Sequence, residues 1–136
     1  MLRVKIVTPF GPVAEEDTDM VTAPGDLGEL GILTGHIPLI TGLMIGELSI
    51  RSGQNSRYFA VSEGYMEVFH DRVSVITKTC EESQNIDVEW AKQDLEEALE
   101  DLKHVGENQK ELHRLERRVR KAELRIRVAA RSSNAA

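Results

Sequence analysis

Aromatic residues make up only 4% of this 136-residue chain, so any core must be built from aliphatic side chains. The single cysteine, Cys80, excludes an internal disulfide and with it a fold that depends on oxidation. No run of about 18 apolar residues occurs, which excludes a transmembrane helix. The opening residues, Met1-Leu2-Arg3-Val4-Lys5-Ile6-Val7, alternate rather than forming an apolar block, and no Arg/Ser-rich amphipathic leader is seen. A reducing, cytoplasmic setting is the expectation. The 4 histidines are scattered and Cys80 has no thiol partner, so no zinc-ligand spacing exists and no metal is expected. The acidic stretch Glu15, Glu16, Asp17 and Asp19 lacks the Asp-x-Asp-x-Asp-Gly order of a calcium loop and reads as a solvated strand edge. The glycine-rich middle lacks a following Gly-Lys-Ser/Thr and is not a phosphate loop. With no nucleophile–base pair visible either, catalysis is not expected.

What is present changes character near Ile86. Before it, short segments of period two alternate with turn residues. Leu2, Val4 and Ile6 face one way, Arg3 and Lys5 the other, and Pro9-Phe10-Gly11-Pro12 ends the strand. Further strands are predicted over 19–23, around Leu48 and Ile50, and over 58–63, 65–69 and 72–77, with turns at Ser52-Gly53-Gln54-Asn55 and His70-Asp71. Residues 24–46 hold six glycines and two prolines with Ile and Leu between them, which predicts loops and short bent strands with apolar tips. Such tips are either tucked into a core or used against a partner. The pattern up to this point predicts an antiparallel sandwich or barrel.

After Ile86 come two helical stripes, Val88, Ala91, Leu95, Ala98, Leu102, Val105 and then Leu112, Leu115, Val119, Ala122, Ile126, Ala129. Each has the 3-4-3-4-3 spacing that lines one helix face. Asn85 or Asp87 is expected to cap the first helix, Gly106 to break the chain into a hairpin, and Asn108 to cap the second helix. Residues 132–136 should fray. The fold class is therefore β + α, an N-terminal antiparallel β-sandwich (1–85) followed by a C-terminal antiparallel two-helix hairpin (86–136). Trp90 is expected to pack between the two parts.

The net charge of -6 hides an asymmetry. Residues 1–87 carry 6 basic and 13 acidic groups, 88–104 carry 2 and 6, and 108–136 carry 9 and 3. An acidic first helix beside a basic second one favours the hairpin, although each exposed pair contributes only about 0.2–1 kcal/mol. The apolar stripe contributes more, yet its many alanines bury little area, so the hairpin should be able to open. A nucleic-acid binder would use the same basic helix, but the acidic remainder and scarce aromatics argue against it.

Together these residues resemble the epsilon subunit of bacterial F-type ATP synthases. The longest match is Pro24-Gly25-Asp26-Leu27-Gly28-Glu29-Leu30-Gly31-Ile32-Leu33-Thr34-Gly35-His36-Ile37-Pro38-Leu39-Ile40-Thr41, with Thr34 where the family usually has proline. A second is Glu63-Gly64-Tyr65-Met66-Glu67-Val68 followed by Arg72-Val73-Ser74-Val75-Ile76, and the third is the two-helix tail. The resemblance implies a ten-stranded sandwich on the central stalk of the rotor, without catalysis of its own. It implies gamma, the c-ring and the alpha/beta hexamer as partners, on the cytoplasmic face of a bacterial inner membrane, with membrane contact only through the c-ring of a proton-translocating enzyme. The ring-contacting residues would be Glu29, Leu30, Gly31, Ile32, Gly42, Leu43 and Met44, and His36 would meet gamma. The hairpin would lie folded or extend into the hexamer and block ATP hydrolysis. Arg114, Arg117, Arg118, Arg120, Lys121, Arg125 and Arg127 would then engage an acidic segment of the beta subunits, arginine being suited to carboxylates by its planar fork. Members that bind ATP carry Ile/Leu-Asp-x-x-Arg-Ala, whereas this chain has Ile86-Asp87-Val88-Glu89-Trp90-Ala91. Trp90 in place of that arginine argues against nucleotide binding, and no cofactor is expected.

Overall fold

The computed structural model describes residues 1–133 and divides into two compact units, Met1–Glu82 and a second that begins at Ser83. The first is all β. Its strands are β1 (Leu2–Thr8), β2 (Gly11–Thr18), β3 (Met20–Gly25), β4 (Gly28–Leu33), β5 (Leu39–Leu43), β6 (Gly46–Ser52), β7 (Asn55–Val61), β8 (Gly64–Phe69), β9 (Arg72–Thr77) and β10 (Cys80–Glu82). They form one sheet path, β10-β7-β6-β3-β5-β8-β9-β1-β2, with β4 added to β3, folded on itself as a sandwich. Every pairing is antiparallel except β1 with β9, which run parallel from Arg3↔Arg72 to Val7↔Ile76. Seven strands intervene in sequence, so no local crossover joins the pair.

Period-two alternation sends Leu2, Val4 and Ile6 of β1 and Val73 and Val75 of β9 into the core, where they meet Ile32, Leu48, Phe59, Met66 and Val68. Two departures from the sequence pattern stand out. Residues 11–18 form a full strand although they carry Glu15, Glu16 and Asp17. In register they face Lys5 and Arg3, with Lys5↔Glu15 and Arg3↔Asp17, and Arg3 lies 3.3 Å from Asp17 and 3.9 Å from Glu15 across the strands. The glycine-rich middle is more regular than its composition implies. β4 pairs with β3 over six residue pairs from Met20↔Leu33 to Gly25↔Gly28, because Gly28, at φ +126°, closes the hairpin tightly.

The sheet path ends at β10 and β2, and Arg57 of β7 joins the two ends. Its Nε and Nη2 donate to the two oxygens of Glu82 at 2.8 Å each, its Nη1 lies 2.9 Å from Glu16, and its guanidinium sits 5.3 Å above the Phe59 ring.

The second unit opens with a 3-10 turn at Ser83–Asn85, followed by α1 (Val88–Leu102) and α2 (Gln109–Ser133). The boundary therefore falls three residues before the expected 85/86 break. β10 ends at Glu82, and the 3-10 turn packs against α2 rather than extending the sheet. Asp87, not Asn85, caps α1 by accepting a hydrogen bond from Trp90 N at 3.0 Å. Gly106 turns the chain at φ +65°, and Asn108 caps α2 through Glu111 N. The two stripes meet: Ala91, Ala98, Leu115, Ala122 and Ala129 are buried. α2 continues as helix to Ser133, past the onset of fraying expected at 132, and 134–136 lie outside the described residues.

Candidate interaction surfaces

The expected ring-contacting residues lie on β4 and at the end of β5, and backbone hydrogen bonds bring these stretches together. Asp26 N donates to Gly42 O at 3.1 Å, and Met44 N donates to Pro24 O at 2.9 Å. A Cβ at Gly42 would stand 1.9 Å from the Asp26 carboxylate, so a larger residue here would require that side chain to rotate away. Their orientations differ. Ile32 and Leu43 point into the core and are buried, so their side chains offer nothing outward, and Leu30 packs partly against that core. Glu29 and Met44 are exposed. The most prominent apolar group is one that the sequence pattern did not single out, Leu27, fully exposed at the tip of the β3–β4 hairpin. Strand parity carried the signal: with Ile32 inward on β4, the two-residue Asp26-Leu27 turn has to project.

His36 is half-buried in the loop before β5. Its backbone N donates to Leu33 O at 3.1 Å, its Nδ1 donates to Ile37 O at 2.7 Å, and Gly35 N donates to Asp71 Oδ1 at 2.7 Å. These bonds fix the loop against the β8–β9 turn and leave Ile37 and Ile40 exposed beside it. The outward face of β5, β8, β9 and β1 continues this apolar character. Register places Gly42, Tyr65, Ile76 and Val7 in one row across four strands. A groove of about 560 Å³ runs along it, lined by Val7, Pro9, Gly64, Tyr65 and Ile76 among others.

On the second unit, Arg114, Arg117, Arg118, Arg120, Lys121, Arg125 and Arg127 all lie on α2. They are not one uniform surface. Arg120 and Arg127 are exposed. Arg114 pairs with Glu111 of the same helix. Arg118 turns toward α1 and meets Asp94, Glu97 and Asp101, and its pKa is raised chiefly by the hydrogen bond to Asp94. Arg125 lies over the Trp90 ring at 5.1 Å, a cation–π contact between α1 and α2. Trp90 is thus 54% exposed rather than enclosed, because Asp87 caps the helix only three residues earlier and the apolar stripe passes through Ala91 instead. Among the described residues, no group of three or more His, Cys, Asp or Glu is placed to hold a metal, and no helix is long and apolar enough to cross a membrane.

Comparison with known families matches residues 1–83 to the beta-sandwich domain of the ATP synthase delta/epsilon chain and residues 84–130 to its long alpha-helix domain. The chain belongs to the ATP synthase delta/epsilon chain family. Curated relatives of this delta/epsilon chain include ATP synthase epsilon chain 2 of Syntrophotalea carbinolica and the ATP synthase epsilon chain of Citrifermentans bemidjiense. Each is 46% identical over 91 residues, which are 67% of this chain and 66% of the relative. The match thus spans just under two-thirds of those relatives' length. Among solved structures, the fold is shared with a chain of the Euglena gracilis mitochondrial ATP synthase (OSCP/F1/c-ring, rotational state 1). That chain is 20% identical at TM-score 0.79, with 98% of this chain and 81% of that one covered. It is also shared with a chain of the Tetrahymena thermophila mitochondrial ATP synthase central stalk and c-ring, 15% identical at TM-score 0.62, with 97% and 96% covered.

Proposed function

We propose that this delta/epsilon chain is the epsilon subunit of an F-type, proton-translocating ATP synthase. It is a non-catalytic component of the central stalk that couples the catalytic hexamer to the c-ring and restrains ATP hydrolysis through its helices. The observation that carries the reading is the division of labour between two units of opposite surface character. The β unit holds an exposed apolar rim on short, hydrogen-bonded turns, and the second unit holds a long basic helix on a two-helix hairpin.

In this reading Leu27 and Met44, with Glu29 and the glycine backbones of Gly31 and Gly42, meet the c-ring. The side chains of Ile32 and Leu43 hold the rim from inside. The loop carrying His36 and Ile37, continued by Ile40 and the Tyr65–Ile76–Val7 row, meets gamma. Apolar side chains on rigid turns suit a rotor contact that has to transmit torque, because little conformational freedom remains to be lost on binding. The basic face of α2 meets carboxylates of the hexamer. Binding to gamma and the ring places the subunit at the membrane as a peripheral protein on the cytoplasmic side.

The test is ATP hydrolysis by a catalytic hexamer with gamma, reconstituted with the full chain or with Arg114, Arg120 and Arg127 replaced by alanine. The expected result is loss of inhibition with gamma binding retained. Unchanged inhibition by the triple variant would refute the role of the basic face. A Leu27→Asp, Met44→Asp chain that still couples the hexamer to the c-ring would refute the role of the rim.

A further inference from the structure

Arg118 joins α2 to α1 through three carboxylates. Its Nε and Nη2 both donate to Asp94 Oδ1, at 2.8 and 2.5 Å, Nη2 also donates to Glu97 Oε2 at 3.0 Å, and Nη1 lies 3.6 Å from Asp101 Oδ2. The three acids occur at spacings of three and four on α1, so they share one flank of that helix. The Asp94 pair is the protected one, its side chains 14% and 26% exposed, while Glu97 and Asp101 lie at the exposed edge of the cluster.

The pairs Lys92–Glu89, Lys103–Glu100 and Arg114–Glu111 each lie within one helix and would survive separation of the two helices. The Arg118 cluster would not. It joins helices whose facing stripes bury Ala91, Ala98, Ala122 and Ala129, each with little apolar area, beside Leu115, while Leu124 and Val128 of α2 are buried off that stripe. An ion cluster weighs more where apolar burial is small.

We infer that Arg118 with Asp94, Glu97 and Asp101 is an electrostatic latch. It holds the hairpin closed and keeps this arginine from any external carboxylate until the helices part. The second half of that statement rests on the function proposed above, while the first stands on the cluster alone. The latch makes the acids of α1 restraints on the basic helix. Neutralising them should free α2 with its positive charge intact. Removing Arg118 also frees α2, but takes away one contact that the freed helix would make.

The experiment uses the full chain in a Cys80→Ser background, spin-labelled at Gln93→Cys and Ala130→Cys, with the distance distribution read by pulsed electron resonance. The closed hairpin gives a short distance. A continuous helix through the turn would place the labels about 55 Å apart, at about 1.5 Å per residue. The expected result is a rise of about fivefold to thirtyfold in the ratio of long to short distances for Asp94→Asn, Glu97→Gln, Asp101→Asn and for Arg118→Gln. The reversed pair Asp94→Arg, Arg118→Asp should return most of the short component, which separates a latch from general loss of structure. An unchanged distribution in both the triple variant and Arg118→Gln would overturn the latch. The same triple variant, added to the hexamer with gamma, should inhibit hydrolysis more strongly than the parent. Opening without any change in inhibition would leave the latch standing and refute the inhibitory role.

Discussion

Replacing Arg57 with methionine keeps the aliphatic stem over Phe59 and removes the charge that ties the ends of the sheet path together. Two contributions have to be weighed. The Glu16 pair joins side chains 37% and 32% exposed, and an ion pair with that much solvent contributes about 0.5 kcal/mol. The Glu82 pair is bidentate, with both bonds at 2.8 Å, and the Glu82 side chain is only 13% exposed. Breaking a fully buried pair costs about 3–5 kcal/mol, and the partly exposed guanidinium scales this down to about 1.5 kcal/mol. The expected loss for Arg57→Met is therefore about 2 kcal/mol, or roughly 10 °C in the melting temperature of a β unit of this size. Arg57→Lys keeps the charge without the fork and should lose about half as much. Glu16→Gln should cost about 0.5 kcal/mol. Calorimetry on the full chain separates the β transition from the helical one, and urea unfolding followed at β-sheet wavelengths gives the free energies. A loss below about 0.5 kcal/mol for Arg57→Met would show that the two sheet ends are held by the core alone and that the pin is incidental.

Two further outcomes follow from close packing and burial. A Cβ at Gly64 would stand 1.9 Å from the backbone oxygen of Ile76, so Gly64→Ala should cost about 3 kcal/mol in urea unfolding by forcing β8 from β9. Gly42→Ala meets only the Asp26 side chain, which can rotate, and should cost well under half of that. Burial, aided by Glu82 and Glu81, pushes the Cys80 thiol up to about 12 from 9.0. A raised pKa means that Cys80 contributes no pH dependence below pH 9. From pH 9 to about pH 12 the unfolded thiol ionises first, and stability should fall by up to about 1.4 kcal/mol per pH unit. The difference between the parent and Cys80→Ala in alkaline denaturation isolates this slope. At pH 8, alkylation by iodoacetamide should be slower than for an exposed thiol by about one to two orders of magnitude, the smaller thiolate fraction outweighing its higher nucleophilicity.

The ends of the two helices were legible along the chain, since Asp87, Gly106 and Asn108 act over three or four residues, the range across which capping is determined. The buried face of α2 was only partly so, because Leu124 and Val128 are buried off the expected stripe. The alternation of β1, β8 and β9 was equally local. β2 was missed because what holds it is the backbone ladder with β1, a partner that its own acidic residues do not announce. The apolar rim was located only to the nearest strand. The glycine-rich stretch announced turns, but strand parity and the Asp26–Gly42 contact decided that Ile32 and Leu43 face inward while Leu27 and Met44 face out. Likewise, the charge asymmetry of the two helices was plain in the sequence, whereas the convergence of three acids on Arg118 was not. That pairing joins residues more than twenty positions apart for Asp94 and Glu97, and only the registry of one helix on the other brings them together. Short-range periodicity and capping thus determine the elements and their polarity. Which side chains become a surface, a pin or a latch is decided when distant strands and helices pack, because orientation and partner choice depend on contacts that the local sequence does not contain.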